Sequence, residues 1–215
     1  DTILLDMDGT LLDLECDNRF WGTVIPERWG QERGLDVSAS QATLAPLFKE
    51  VRGTLDWYCL DYWSQKLSLD IPTIKTGYSE GIRWRPRAET FLRHLNTSHL
   101  DVVLITNAHP VTLAMKAERL PLAQWFNQIV SSHDYGAPKQ ITRFWDTLMA
   151  ERPFDPERTL FVDDSEYVLD AALAYGVSHL ITLRQPDSTL APREQTRFPA
   201  IHHFEEILQG LPDID

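Results

Sequence analysis

The sequence predicts an α/β fold: a doubly wound parallel sheet, interrupted after its first strand by a small all-helical insertion. Three observations predict it. Short apolar runs alternate with amphipathic segments, the rhythm of a parallel sheet wound with helices. One stretch, residues 15–80, breaks that rhythm and holds helical patterns without a strong strand. Several apolar runs stop abruptly at Asp, Thr or Asn, as buried strands do when they deliver residues to the edge where open α/β sheets bind ligands.

The elements follow in order. Thr2 to Asp6 reads as the first strand, ending at Asp6-Met7-Asp8-Gly9-Thr10. A carboxylate at a buried strand end is costly unless a cation or hydrogen-bond donors meet it, and Gly9 lets the backbone turn close to a ligand. Asp6 and Asp8 are therefore read as a metal site, with Asp6 as nucleophile and Asp8 as proton carrier. An acidic loop is the plain alternative for an isolated Asp-x-Asp. Within the insertion, helices are expected over Asn18 to Ile25, Ser40 to Arg52 and Leu55 to Leu67, with Gly77 to Gly81 as a flexible return. Trp57, Leu60 and Trp63 fall near one helical face, which suits the insertion's own core better than a ligand, since aromatics at helical spacing usually pack there.

The alternation resumes with a helix from Arg87 to Leu95, entered through Pro86. Asp101 to Thr106 is the clearest buried strand and ends at Thr106-Asn107; a helix over Val111 to Arg119 follows. Gln128 to Ser131 is a short strand, and Lys139 is expected to open a helix reaching Glu151. Thr159 to Val162 ends at Asp163-Asp164, ahead of a helix over Glu166 to Tyr175 stopped by Gly176. A last strand, His179 to Leu183, precedes a short helix, Phe204 to Leu208.

Composition bounds the function. At 215 residues with 43% hydrophobic and 24% charged residues, the chain suits a core domain plus a smaller insert. A formal net charge of -12 argues against polymeric nucleic acid as a partner, since phosphate-backbone binding needs a basic face. No apolar run approaches a membrane span, and two cysteines are too few for a disulfide framework, so a reducing cytoplasm is expected.

Four strand exits in chain order thus carry Asp6 and Asp8, Thr106-Asn107, the segment before Lys139, and Asp163-Asp164. Together they resemble the four motifs of haloacid dehalogenase (HAD) superfamily phosphatases, with residues 1–14 and 81–215 as the α/β core and 15–80 as a helical cap. That resemblance implies a Mg²⁺-dependent phosphomonoesterase acting through an aspartyl-phosphate on Asp6. It implies Asp8 as general acid and base, Thr106, Asn107 and Lys139 as the phosphate site, and Asp6, Asp8, Asp164 and Asp163 as metal ligands. Many relatives carry another acid where Val168 stands, so no role passes to Asp170. The insertion's Asp17-Asn18-Arg19-Phe20-Trp21 and Leu55-Asp56-Trp57-Tyr58-Cys59-Leu60-Asp61-Tyr62-Trp63 resemble the cap of the bacterial GMP/IMP 5′-nucleotidase group. They imply a purine nucleoside monophosphate as the small phosphorylated partner, with Asp17 and Asn18 as substrate contacts. A sugar-phosphate phosphatase or phosphomutase is the alternative, followed by a non-catalytic phosphate-binding protein.

Overall fold

Every residue of β1 (Thr2–Leu5) is buried, so this strand needs neighbours on both edges and helices on both faces. The computed structural model, which describes residues 1–208, supplies them. The insertion follows β1 as α1 (Glu15–Arg19), a π-helical stretch (Phe20–Val24), α2 (Ile25–Gln31), α3 (Val37–Glu50), α4 (Leu55–Tyr58), α5 (Leu60–Leu67) and α6 (Ile71–Thr76). The core resumes with α7 (Ala88–Leu95), β2 (Asp101–Thr106), α8 (Pro110–Arg119), β3 (Gln128–Ser131) and α9 (Thr142–Glu151). It ends with β4 (Thr159–Val162), α10 (Glu166–Tyr175), β5 (His179–Leu183), β6 (Ala200–Ile201) and α11 (Glu205–Leu208).

Among the described residues, six strands form one sheet in the order β3-β2-β1-β4-β5-β6, and every pairing is parallel. The chain winds outward from β1 to β3 and then crosses back to β4. Adjacent strand ends at β1, β2 and β4 therefore flank a topological switch point, where such sheets open a crevice at their carboxyl edge. One face of the sheet packs Phe91, Leu92 and Phe204 against Leu5 and Leu104; the other packs Phe144, Trp145 and Leu169 against Leu4 and Phe161. The insertion has an apolar core of its own around Phe20, Leu44, Leu60 and Trp63. Its two ends are zipped together: Leu12 bridges Trp84 antiparallel, Asp13 donates to the Arg83 carbonyl and Arg85 to the Leu11 carbonyl.

Local chemistry explains where the elements depart from expectation. The helix expected over Leu55 to Leu67 breaks at Cys59, whose backbone is extended (φ -83°, ψ 113°). Its sulfur accepts the Tyr62 N–H at 3.4 Å and caps α5. The Asn18-to-Ile25 segment divides among α1, the π-helical stretch and the first residue of α2; a π-helical form often occurs at functional sites. Lys139 does not open a helix: α9 begins three residues later, and Lys139 lies buried in the preceding turn. At two residues, β6 is too short to leave a periodic signal. Gly77 has an ordinary helical backbone (φ -71°), so the return to the core makes no use of its conformational freedom.

Candidate active site

The carboxyl edge of the sheet gathers its polar residues around one ammonium. Lys139 Nζ lies 2.6 Å from Asp6 Oδ1, 2.7 Å from Asp163 Oδ2 and 3.1 Å from the Ile105 carbonyl. Each partner stands at or beside the end of a different central strand: Asp6 after β1, Ile105 in β2, Asp163 after β4. Burial alone would lower the Lys139 pKa, but Asp163 and Asp6 raise it above the ordinary lysine value. The lysine is a fixed positive charge. Its backbone N–H donates to Asn107 Oδ1 at 3.0 Å, and Asn107 Nδ2 donates to Gln140 Oε1 at 3.1 Å. Gln140 in turn donates to the Tyr58 hydroxyl at 2.7 Å, so an amide chain runs from the core to the insertion. Thr106 Oγ1 accepts the Ala108 N–H at 3.0 Å and fixes the turn leaving β2.

The acids outnumber that lysine. Asp6, Asp163 and Asp164 offer carboxylate oxygens within 4.8 Å of one another. Among the described residues, Asp6 Oδ2 is buried without a hydrogen-bond partner. Burial pushes the Asp6 carboxyl up to about 6, with Asp163 adding to the effect. Burial, then Asp163 and Asp6, hold Asp164 well above the usual carboxylate range. An under-neutralised, all-oxygen cluster with an orphaned carboxylate oxygen fits a hard divalent cation such as Mg²⁺. Gly9 is what lets Asp164 approach: at φ +85°, an added Cβ would stand 2.7 Å from Asp164 Cγ. Thr10 Oγ1 accepts the Asp164 N–H at 3.0 Å, and Asp163 Oδ1 caps the following turn by accepting the Ser165 N–H at 2.8 Å.

Asp8, Asp17 and Asn18 line the same cavity of about 1180 Å³ that Asp6 faces. Asp8 ion-pairs with Lys116, and burial pushes its carboxyl up to about 6. Asp17 is already engaged: Lys75 Nζ lies 2.5 Å from one oxygen and Lys116 Nζ 2.6 Å from the other. Asn18 is exposed and donates to Asp187 Oδ2 at 2.8 Å. Trp21, Phe48, Trp57 and Trp63 also line the cavity and pack against one another, edge-on except for the tilted Trp21–Trp63 pair. Lys116, Lys75, Tyr58 and Gln140 were missed as site residues in the sequence. Lys116 had a faint signal, since it sits one residue after Met115 on the buried side of α8.

Comparison with known proteins identifies the family. A family model for haloacid dehalogenase-like hydrolases covers residues 1–176. The chain belongs to that family. It is a hydrolase of the phosphatase type, 39% identical over 211 residues to the GMP/IMP nucleotidase YrfG of Escherichia coli, with 98% of this chain and 95% of the relative aligned. Among solved structures, a HAD phosphatase from Thermococcus onnurineus superposes with a TM-score of 0.81 at 16% identity, over 99% of this chain and 98% of that one. The HAD-hydrolase YfnB of Bacillus subtilis, solved with magnesium, superposes with a TM-score of 0.70 at 19% identity, over 99% and 98% of the two chains. At these identities the likeness is one of fold. Within the HAD fold, Asp6, Asp163, Asp164, Asn107 and Lys139 stand together at the edge where the sequence motifs expected them.

Proposed function

We propose that the protein is a Mg²⁺-dependent phosphomonoesterase that hydrolyses purine nucleoside 5′-monophosphates, GMP or IMP, through an aspartyl-phosphate on Asp6. The supporting observation is the Asp6–Lys139–Asp163 hub beside Asp8, in a cavity also lined by aromatic side chains of the insertion. Asp6 attacks phosphorus, and Lys139 offsets negative charge at the nucleophile and the phosphoryl oxygens. Asp8 protonates the leaving alcohol and then takes the proton of the water that opens the acyl phosphate. The Thr106 hydroxyl and the Asn107 N–H hold phosphoryl oxygens. A Mg²⁺ ion held by Asp6, the Asp8 carbonyl, Asp164 and Asp163 would supply charge neutralisation and orientation.

In this reading residues 15–80 are a cap over a core of 1–14 and 81–215, and its closure excludes water. The aromatic wall suits a base, and the relative's substrates name the purine. Asp17 and Asn18 belong to the substrate side only indirectly, because Asp17 is bound by two lysines and Asn18 by Asp187. No helix of the described residues is long and apolar enough to cross a membrane. We place the enzyme in the cytoplasm, where its free thiols Cys16 and Cys59 stay reduced. A release assay across nucleoside monophosphates and hexose phosphates, with and without Mg²⁺, tests the proposal. Metal-dependent turnover with GMP or IMP ahead of hexose phosphates is the expected result; preference for hexose phosphates would overturn the nucleotide reading.

A further inference from the structure

Lys116 has no role in any of the four motifs, yet it is among the largest fully buried side chains of the molecule. An ammonium inside a protein needs carboxylates around it. Here they come from two places. Asp8 belongs to the core turn after β1, and Asp17 to α1 at the start of the insertion. Asp17's second oxygen is closed by Lys75 of α6, whose Nζ also lies 4.1 Å from the Phe20 ring centroid. The result is a chain of alternating charge, Asp8–Lys116–Asp17–Lys75, that starts at the acid-base carboxyl and ends in the insertion. Lys116 binds only Oδ1 of Asp8; Oδ2 has no hydrogen bond to protein among the described residues.

Resting on the phosphatase reading above, we propose that Lys116 is the positioning residue for Asp8, and that Asp17 holds Lys116 in place only when the insertion is seated. With one oxygen tied, the Asp8 carboxyl presents the other to the leaving group in a single orientation. As Asp6 attacks phosphorus, the ester P–O bond breaks with its electron pair on the leaving oxygen, and that oxygen takes the proton from Asp8. An alkoxide cannot leave without that proton, whereas a nitrophenolate can. Misplacing Asp8 should therefore slow alkyl esters selectively, and a loss confined to structure should slow all esters alike.

The test compares kcat/KM, which ends at the departure of the leaving group, for GMP, glycerol 2-phosphate and p-nitrophenyl phosphate. K116M is expected to lower kcat/KM for both alkyl esters about 100-fold, the low end of general acid catalysis, with much less effect on the aryl ester. D17N keeps the Lys116–Asp8 contact and is expected to show the same signature more weakly. It carries the test alone should K116M fail to fold. D8N with K116M should be no slower on alkyl esters than D8N, because the lysine acts through Asp8. Equal losses on alkyl and aryl esters in either variant, or losses that multiply in the double variant, would overturn the inference. Turnover of glycerol 2-phosphate but not GMP by the native protein overturns the nucleotide reading alone. Turnover of no ester overturns both.

Discussion

At Gly9 a single hydrogen atom decides whether the site can assemble. Its φ of +85° lies where an L side chain is strained, and a Cβ there would press within 2.7 Å of Asp164 Cγ. Gly9→Ala should therefore displace Asp164 from the acid cluster, at a cost of about 1–3 kcal/mol in strain. A titration of turnover against Mg²⁺ is expected to show the half-saturating concentration raised about tenfold or more, as for lost support around other metal sites. An unchanged Mg²⁺ curve would remove Asp164 from the metal site. The residues at this scale divide by how their chemistry announces itself. Asp6, Asp163 and Asp164 were legible as one cluster because they follow apolar strands directly, and parallel strands bring such ends to a common edge. Lys139 was legible as a charge but not as a buried one, since the turn that encloses it has no periodicity. Lys116 was barely legible: beyond its place beside Met115, a lysine on an amphipathic helix reads as solvated, and only the approach of Asp8 and Asp17 from distant segments makes its burial tolerable.

The insertion's helices depend on tertiary packing more than on propensity, because α1, α4 and α6 are each six residues or fewer. Trp63 is the side chain they share. It is 1% exposed, donates its indole N–H to the Trp57 carbonyl at 3.0 Å, meets Phe48, Trp57 and Tyr62 edge-on, and packs tilted against Trp21. Trp63→Ala should cost about 3–5 kcal/mol locally. Hydrogen exchange is the discriminating measurement: amides of 15–80 should lose protection while those of β1, β2 and β4 keep it. Loss across the sheet as well would mean that insertion and core unfold as one unit. The same packing explains why the sequence located this region but misdrew its helices. Aromatic spacing marked a helical face, whereas the break at Cys59 depends on a thiol capping a new helix. Core strands were easier, since burial on both faces leaves continuous apolar runs; β6 escaped because two residues form no run.

Across the whole molecule, ionisation pulls stability in two directions. Burial alone would raise the Asp17 pKa, but Lys116 and Lys75 hold it well below its ordinary 3.8. Its contribution is therefore complete above about pH 4 and is lost as pH falls through the lower folded value. Asp6 and Asp8 behave oppositely: burial first, then neighbouring acids, lift both to about 6. For a carboxyl with a raised folded pKa, stability is present below its unfolded value and is lost as pH rises through the folded one. The metal-free protein should consequently gain thermal stability on acidification from pH 7 to about pH 5, before the Asp17 contribution fails at lower pH. A divalent cation among Asp6, Asp163 and Asp164 binds the ionised carboxylates, so it stabilises most at neutral pH and cancels that gain. Thermal unfolding in chelator and in excess Mg²⁺ across this range checks the argument. Curves with the same slope in both conditions would mean that the acid cluster and the metal are unconnected. Asp8→Asn should shrink the metal-free gain while leaving the Asp17-dependent acid limb in place, which separates the two networks that meet at Lys116.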